Sequence, residues 1–518
     1  MPSYLSPGVY IEEVPAATRP IEGVGTAIAG FVGFAPSGPV NEPVLVTNWT
    51  QYVSKFGEIV EDFALAKSVY GYFNNGGGRA YIVRLPLPLD GSTPSPGLAT
   101  AAIEAAGADK GSKGGPVFQM RVVDANAGTI SVSVDTAAGS DPDSGKFDVT
   151  VTSDTGVSET YSGVVSGAGP TNVATAINTR SRLITVEELD VSAEVLEAGL
   201  ATGQITLSIP SDATIPEVAP ASVVGDSAKR TGFAAFEAIE EITMVLAPDL
   251  LTAHRQGLID TEGVVAVQTA LVSHCELMGN RMAILDTPAG LDAQSASTWR
   301  ETTTNIDSKF AVMYWPWIQI LDPSVGHDVY FPPSGHVAGL WGRNDDTRGV
   351  FKAPANEVLQ GATGLELSVT RGEMDMLNPE GVNSIKSFPG RGIRVWGGRT
   401  LSSDAEWRYV NVRRYFNYLE ESILQGTQWC VFEPNDERLW GRIRRTITAF
   451  LVNEWRSGAL FGDKAEQAFF VTCDGTNNTA ESIDAGMVVV EIGVAPVKPA
   501  EFVIFRLSQF SGGASVSD

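Results

Sequence analysis

The sequence is poor in the residues that commonly build catalytic and metal sites. Its 518 residues include only three cysteines and four histidines, and no two histidines stand in an HxxxH pair. The cysteines are odd in number and far apart, which predicts no disulfide framework and favours a reducing compartment. No glycine-rich stretch has the spacing of a phosphate loop or of a dinucleotide fingerprint. We therefore expect no catalytic residue, no metal ligand and no cofactor.

Basic residues and long apolar runs are also scarce. Lys and Arg together number 36 against 61 Asp and Glu, which gives a formal net charge of −25. This charge argues against nucleic acid as a main partner, because binding phosphates requires a basic footprint. No stretch approaches about eighteen uninterrupted apolar residues, and the first residues lack the basic and then apolar pattern of a signal peptide. We expect a cytoplasmic protein that does not insert into a membrane.

What the sequence does contain is an α/β pattern in two separated stretches. Apolar runs at 26–35 and 79–85 predict strands, and two amphipathic segments between them predict helices. Strand and helix signals resume at Thr231. One of the later strand signals, AVMYWPWIQILDP, contains Pro316, which favours an edge strand or a bulge. We predict an α/β core domain formed by residues 25–88 and 232–372.

The segment between these stretches, residues 89–231, differs in composition. It contains no Trp, Cys or His, and it has 18 acidic residues against 8 basic ones. Short alternating runs such as TISVSVDT and KFDVTVTS predict β-strands. We interpret the segment as an acidic, β-rich outer domain inserted into the core domain.

The region 373–498 predicts an α+β inner domain with two main helices. The first is predicted to begin at Ser403, where Glu406 would complete a capping box. The second follows Pro434, with Asn435 as its N-cap. Its buried side is predicted at Leu439, Ile443, Ile447, Phe450 and Leu451.

Three arginines recur at helical spacing on another face of the second helix. They are Arg438, Arg442 and Arg445. A row of like charges on a helix is often no more than a solvated face. In a chain of net charge −25 the row is locally unusual, so a contact with an acidic protein partner is the alternative.

Both ends of the chain are predicted to be extended arms, residues 1–24 and 499–518. Pro15 and Pro20 exclude a helix from the first arm. The last run, PAEFVIFRLSQF, is apolar on both faces of a strand, and burial of each large side chain is worth about 1.5–3 kcal/mol. We expect strand pairing at Val9, Tyr10 and Ile11 in the first arm and at Phe502, Val503, Ile504 and Phe505 in the second.

Several segments in combination resemble contractile phage tail sheath proteins, especially the sheaths of phage-tail-like contractile injection systems. The segments are YLSPGVYIEE, GFVGFAPSGP, TQYVSKFG, FNNGGGRAYIVRL, PPSGHVAGLWGRNDDTRGVFKAPANE, NPEGVNSIKSFPGRGIRVWGGRT and PAEFVIFRLSQ. The segment 89–231 carries none of the resemblance. The resemblance implies a tail-sheath fold, which is a multidomain α/β and α+β protein with an inserted β-rich domain and extended N- and C-terminal arms.

The resemblance also implies a structural role without catalysis. Such subunits stack as hexameric rings around an inner tube, exchange strands with neighbouring subunits through their arms, and contract to drive the tube through a target envelope with energy stored in assembly. The implied partners are neighbouring sheath subunits, the inner tube protein, the baseplate and the tail terminator. The chain would be part of a phage tail or a phage-tail-like particle. For the tube contact we take Arg438, Arg442 and Arg445 as the main candidates, with Arg413 and Arg414 in reserve.

Two other classes of protein fit parts of the pattern. A self-assembling capsid or surface-layer protein would also need apolar arms and no catalytic site. A doubly wound α/β enzyme would use the core domain, but it requires a nucleotide loop that the sequence lacks.

Overall fold

The computed structural model describes residues 20–87, 98–106, 115–123, 128–137, 145–192, 196, 199–208 and 217–506. The chain forms two compact units. The larger unit comprises Glu22–Val350 and Pro354–Gln425, and the smaller unit comprises Met1–Ile21, Phe351–Ala353 and Gly426–Asp518. The predicted N-terminal strand at Val9, Tyr10 and Ile11 lies outside the described residues.

A nine-stranded sheet forms the centre of the larger unit. Numbered along the chain, its strands have the spatial order β16-β19-β18-β13-β12-β11-β1-β3-β2. The central pairs, from β3 through β1, β11, β12 and β13 to β18, are parallel, and the outer pairs are antiparallel. The bounds are β1 (Ile28–Phe34), β2 (Val44–Val46), β3 (Arg79–Leu85), β11 (Met244–Leu246), β12 (Met282–Asp286), β13 (Ala311–Trp315), β16 (Glu357–Val358), β18 (Val382–Phe388) and β19 (Gly392–Val395).

Helices cover both faces of this sheet, which explains why every residue of β1, β11, β12 and β13 is buried. The helices of the larger unit outside the insertion are α1 (Trp49–Phe56), α2 (Leu65–Asn74), α4 (Pro220–Val224), α5 (Asp249–Arg255), α6 (Thr261–Met278), α7 (Ala293–Thr298), α8 (Ser334–Arg348), α9 (Arg371–Leu377) and α10 (Val410–Thr427). A 3₁₀ turn spans Phe233–Ala238, and a π-helical turn spans Trp299–Thr304.

The stretch around Pro316 forms two strands rather than one. β13 ends at Trp315, and β14 (Ile318–Asp322) begins a separate sheet with β15 (His327–Phe331) and β17 (Ala362–Leu365). β13 lies in the middle of the large sheet, so the edge position predicted from Pro316 is wrong for this strand, whereas β14 has the irregular register of a bulge between Gln319 and Ile320. Proline lacks the N–H that would continue the ladder, and the chain leaves the sheet at that residue.

The large sheet extends past residue 372, where we placed the end of the core domain. β18 pairs with the central strand β13, with Met313 opposite Val382. The buried side chain of Asn383 strengthens this join, because its amide donates to the carbonyls of Met313 and Arg399. Residues 382–395 therefore belong to the α/β sheet.

The inserted domain has its own hydrophobic core, separate from that of the α/β body. Its strands form two sheets, β10-β6-β7-β8 and β4-β5-β9. The bounds are β4 (Thr100–Glu104), β5 (Pro116–Val122), β6 (Ile130–Thr136), β7 (Phe147–Ser153), β8 (Ser158–Val164), α3 (Val173–Asn178), β9 (Ile184–Glu188) and β10 (Gly203–Thr206). The backbones of Thr100 and Ser208 exchange hydrogen bonds of 3.1 and 3.4 Å, so the two ends of the domain are adjacent.

The predicted end of the insertion at residue 231 is too late in the chain. Val218 and Val223 are buried in the core of the α/β body, and the backbone N–H of Val218 donates to Leu258. Residues 89–231 were predicted to form one domain because they are acidic and poor in aromatic residues. Composition of this kind does not show which hydrophobic core a residue joins. The insertion proper is the part between Thr100 and Ser208.

The smaller unit contains a long helix and a two-stranded sheet. Its elements are the 3₁₀ turn Gln428–Cys430, α11 (Glu437–Arg456), α12 (Ala465–Ala468), β20 (Phe469–Thr472), α13 (Ala480–Asp484) and β21 (Glu491–Val494). β20 and β21 are antiparallel. The predicted buried side of α11 is confirmed at all five apolar positions.

Both predicted helix starts in the C-terminal region are displaced. The backbone N–H and the hydroxyl of Ser403 donate to the carboxylate of Asp307, and α10 begins later, at Val410. A complete capping box is present instead at Thr370 and Glu373, at the start of α9. Asp436 is the N-cap of α11, because the preceding Asn435 is bonded to Trp440 and Met487.

Candidate assembly surfaces

The predicted C-terminal strand residues are exposed and unpaired within their own chain. Residues 501–506 form no helix or strand. Phe502, Val503, Ile504 and Phe505 are between 68% and 84% exposed, although they are all large and apolar. Four consecutive apolar side chains in water are unfavourable, since each forgoes about 1.5–3 kcal/mol of burial. This segment is therefore a surface that another molecule can cover.

The sheet β20–β21 is a second surface with unused bonding capacity. In the part of the chain that the structure describes, the two strands pair only with each other along 469–472 and 491–494, with a short extension at Leu460 and Pro496. Each strand therefore has one edge without a neighbouring strand. Free edges of this kind accept an added strand from another chain. Phe470, a residue of β20, is 53% exposed, which adds apolar area for an incoming strand.

The basic row on α11 lies on the exposed side of the helix. Arg438 and Arg445 are exposed. Arg442 is half-buried, its guanidinium lies 4.4 Å from the centre of the Trp429 ring, and it pairs with Glu433 at 3.7 Å. Two of the three candidate arginines are thus available to a partner, and the third is held against the preceding loop.

Arg413, a reserve candidate for the tube contact, is buried in the larger unit. Its guanidinium lies 4.8 Å from the ring centre of Phe310 and 4.6 Å from that of Trp407, and it pairs with Glu420 at 2.9 Å. Burial lowers the pKa of this guanidinium, and Glu420 counteracts the shift. A buried side chain with these contacts is not available to a tube, so this assignment is wrong.

Arg414, the other reserve candidate, anchors the start of the α/β body. Its side chain is 3% exposed and forms an ion pair with Asp345 of α8 at 2.5 Å. It also donates to the carbonyl of Thr26, whose hydroxyl donates to the same Asp345 carboxylate. Helix spacing could not separate the exposed arginine row from this buried one, because Arg414 is buried by contacts with Asp345 and Trp341 of α8, which are distant from it in the sequence.

The carboxyl edge of the large sheet is filled by the chain's own side chains. Asp249 accepts backbone N–H groups of Phe34 at 2.6 Å, of Leu65 at 3.2 Å and of Ala64. These donors stand at the end of β1 and the start of α2, where doubly wound enzymes bind phosphates. A β-carbon at Gly33 would collide with the Asp249 carboxylate, so the fit is close. Burial raises the pKa of Asp249 to about 6, and its N–H donors oppose that rise.

Two further features of the described residues concern membrane insertion and metal binding. They contain no helix that is long and apolar enough to cross a membrane. No group of three or more His, Cys, Asp or Glu among the same residues could hold a metal ion.

Sequence families match the second half of the chain. The model of the phage tail sheath protein central domain matches residues 230–401, and that of the phage tail sheath C-terminal domain matches residues 402–510. Together these two models of one family cover more than half of the 518 residues. The first match begins after the inserted domain, within the α/β body.

Relatives with known names support the same family. The tail sheath protein of Burkholderia phage BcepMu is 23% identical over 517 residues, which are 95% of this chain and 94% of the relative. The tail sheath protein of Vibrio phage KVP40 is 28% identical over 218 residues, which are 41% of this chain and 32% of the relative. The chain thus spans nearly the whole length of the first relative and about a third of the second.

Solved structures share the fold over almost the whole chain. The helical sheath of the anti-feeding prophage in its contracted state has a TM-score of 0.58 at 24% identity, and the match covers 97% of this chain and 99% of that one. The sheath of the extracellular contractile injection system PVC, also contracted, has a TM-score of 0.58 at 23% identity and covers 98% and 99%. The predicted tail-sheath fold is confirmed, and the chain belongs to the contractile phage tail sheath family.

Proposed function

We propose that this chain is the repeating subunit of a contractile sheath. Copies stack as hexameric rings around an inner tube, and contraction of the stack drives the tube through a target envelope. Membership of the tail sheath family and the fold shared with contracted sheaths support this role. The role requires no catalysis, and we propose none.

The observation that carries the proposal is the exposed apolar segment at residues 502–505. Burial of its four side chains contributes on the order of 6–12 kcal/mol gross, and ordering and association take back several kcal/mol. In the sheath, this arm adds as a strand to the sheet β20–β21 of a neighbouring subunit, whose free edges supply backbone hydrogen bonds. The N-terminal arm, through Val9, Tyr10 and Ile11, adds to a sheet of another neighbour in the same way.

The arms act as joints that keep subunits connected while the rings rotate and compress. Energy for contraction then comes from new contacts between the bodies of the subunits, and no nucleotide is consumed. The filled carboxyl edge of the sheet, where Asp249 takes the position of a phosphate, is consistent with a motor that does not use nucleotide.

The tube contact lies on the exposed face of α11. Arg438 and Arg445 pair there with acidic groups of the inner tube protein, and Arg442 holds the neighbouring loop. The ends of the stack bind a baseplate and a tail terminator. The particle is a phage tail or a phage-tail-like injector whose sheath assembles in the cytoplasm.

Removal of the C-terminal arm tests this function. We expect deletion of residues 501–518, or the single change Ile504→Pro, to leave a folded subunit and to abolish sheath tubes in negative-stain micrographs. Proline removes a backbone N–H that the added strand needs and disfavours strand pairing. Deletion of residues 511–518 alone, a Gly- and Ser-rich tail, is the matched control and should leave the tubes intact. Full-length contractile sheaths from the longer deletion would refute the strand exchange.

A further inference from the structure

One residue of the smaller unit combines full exposure with an unfavourable backbone conformation. Phe432 is 102% exposed, so its ring touches almost nothing in its own chain. Its φ angle is 65°, in the left-handed region that bulky L-residues rarely adopt. The preceding Val431 is also apolar and 62% exposed. The loop therefore presents two adjacent apolar side chains to solvent.

The backbone that carries these side chains is held in place. The N–H of Val431 donates to the carbonyl of Gln428 at 3.3 Å, and the N–H of Glu433 donates to that of Cys430 at 3.2 Å. The conformation of Phe432 thus belongs to a bonded turn. A left-handed conformation costs free energy at any residue with a β-carbon, and the ring recovers nothing in its own chain. Phe432 therefore has an unfavourable backbone conformation, and no contact of its side chain within the chain offsets that cost.

The loop lies beside the basic row of α11. Arg442 contacts Trp429 at 4.4 Å and Glu433 at 3.7 Å, and these two residues flank Val431 and Phe432. The apolar tip therefore adjoins a surface that includes Arg442 and, about one helical turn to either side of it on α11, the exposed Arg438 and Arg445. Its composition, an apolar centre next to exposed arginines, is that of a binding hot spot.

We propose that Val431 and Phe432 form an apolar anchor that inserts into an apolar pocket on the inner tube protein. The inference rests on the tube contact proposed above and names its central residue. The arms and the sheet β20–β21 already provide joints between sheath copies, which must survive contraction. A contact with the tube must instead be broken at every subunit, and one ring framed by exposed ion pairs is small enough to release.

Two substitutions separate binding from folding. Phe432→Gly and Phe432→Asn both tolerate the left-handed conformation and both remove the ring. We expect the isolated subunit to be as thermally stable as the wild type or more so, and self-assembly without a tube to be unchanged. Cosedimentation with purified, assembled inner tubes should weaken by about tenfold or more, as loss of a buried aromatic ring predicts. The variant Phe432→Leu should lose less affinity for the tubes, because leucine keeps part of the apolar side chain.

Salt and a matched control complete the test. The loss should persist at high salt because the contact is apolar, whereas charge reversal at Arg438 and Arg445 should matter mainly at low salt. Leu277→Asn removes an exposed apolar side chain of the larger unit, 74% exposed, and should bind tubes normally.

Other outcomes would overturn the anchor. A less stable Phe432→Gly subunit would make the residue structural, and loss of self-assembly would place it between sheath copies. If the charge reversal weakens docking and the Phe432 variants dock normally, the tube contact stands and the anchor is wrong. If neither change affects docking, both the anchor and the proposed tube surface are wrong.

Discussion

Buried charged residues in the larger unit join segments that are distant in the sequence. Lys67 of α2 pairs with Asp322 of β14 at 2.7 Å, and both side chains are almost fully buried. Burial lowers the pKa of Lys67, and Asp322 counteracts the shift. Removing one member of such a pair leaves an uncompensated charge in the interior, so each of the two residues requires the other. Their role is to hold the body together, since both side chains are buried within it.

Asp286 predicts a pH dependence of stability. Burial raises the pKa of its carboxyl to about 7, while in the unfolded chain it stays near its ordinary value of about 3.9. Between these values the folded chain keeps a proton that the unfolded chain loses. The free energy of unfolding therefore falls as the pH rises through this window, by on the order of 4 kcal/mol, and levels off above about pH 7.

The variant Asp286→Asn tests this dependence. Asparagine keeps an oxygen for the N–H of Ser334, which donates to Asp286 at 2.9 Å. We expect urea unfolding of the full chain between pH 4.5 and 8 to show a flatter slope, with a residual part from Asp249. Asp375→Asn, at an exposed position of α9, should leave the wild-type slope. An unchanged slope in Asp286→Asn would show that this carboxyl is ionised in the folded chain.

Helix α11 has one side in the core of the smaller unit and another side in solvent. Leu439, Ile443 and Ile447 are buried on one side, while Arg438 and Arg445 are exposed on another. The buried side packs against β20, the strand of the proposed acceptor sheet. One helix thus links the surface proposed for strand exchange with the surface proposed for the tube.

Charge reversal on this helix should weaken tube docking in a salt-dependent way. Arg438→Glu combined with Arg445→Glu changes the exposed charges and leaves Arg442 in its contacts with Trp429 and Glu433. Because exposed ion pairs are screened by salt, the loss should be about tenfold at low ionic strength and small at high ionic strength. Cosedimentation with assembled tubes measures it. Lys229→Glu combined with Arg371→Glu makes the same charge change at exposed sites of the larger unit and should have no effect.

At the scale of the whole molecule, the inserted domain is a separable part. Its core is distinct from that of the body, and its two ends meet at the paired backbones of Thr100 and Ser208. Arg121 ties the domain to the body through Glu61 and Asp62, at 3.3 and 3.4 Å. The Glu61 carboxylate is 53% exposed, and exposed ion pairs contribute only about 0–1 kcal/mol.

Deletion of the insertion should therefore spare both the fold and the assembly. Replacement of residues 101–207 by a short Gly/Ser linker is expected to shift the melting temperature of the body by no more than a few degrees and to leave sheath tubes visible by electron microscopy. A longer deletion through residue 231 is the matched comparison, and it should unfold the body because it removes the buried Val218 and Val223. A folded monomer of the shorter deletion that forms no tubes would show that the insertion takes part in ring contacts.

Local features of this protein could be read from the order of its amino acids. Apolar periodicity predicted the buried face of α11 and the alternating strands β6 and β7, because a side chain's face follows directly from its position in a helix or strand. The combination of segments at both ends indicated the sheath family. The apolar character of residues 502–505 was equally readable, and the structure adds that their own chain leaves them exposed.

The tertiary structure alone decided which segments share a sheet or a core. Local patterns do not record that β18 pairs with β13, that Val218 joins the body, or that Pro316 separates two sheets. They also could not distinguish the buried Arg413 and Arg414 from the exposed Arg438 and Arg445. Whether an arginine is exposed depends on the aromatic rings and carboxylates that distant segments bring to it, and those contacts form only when the whole chain is folded.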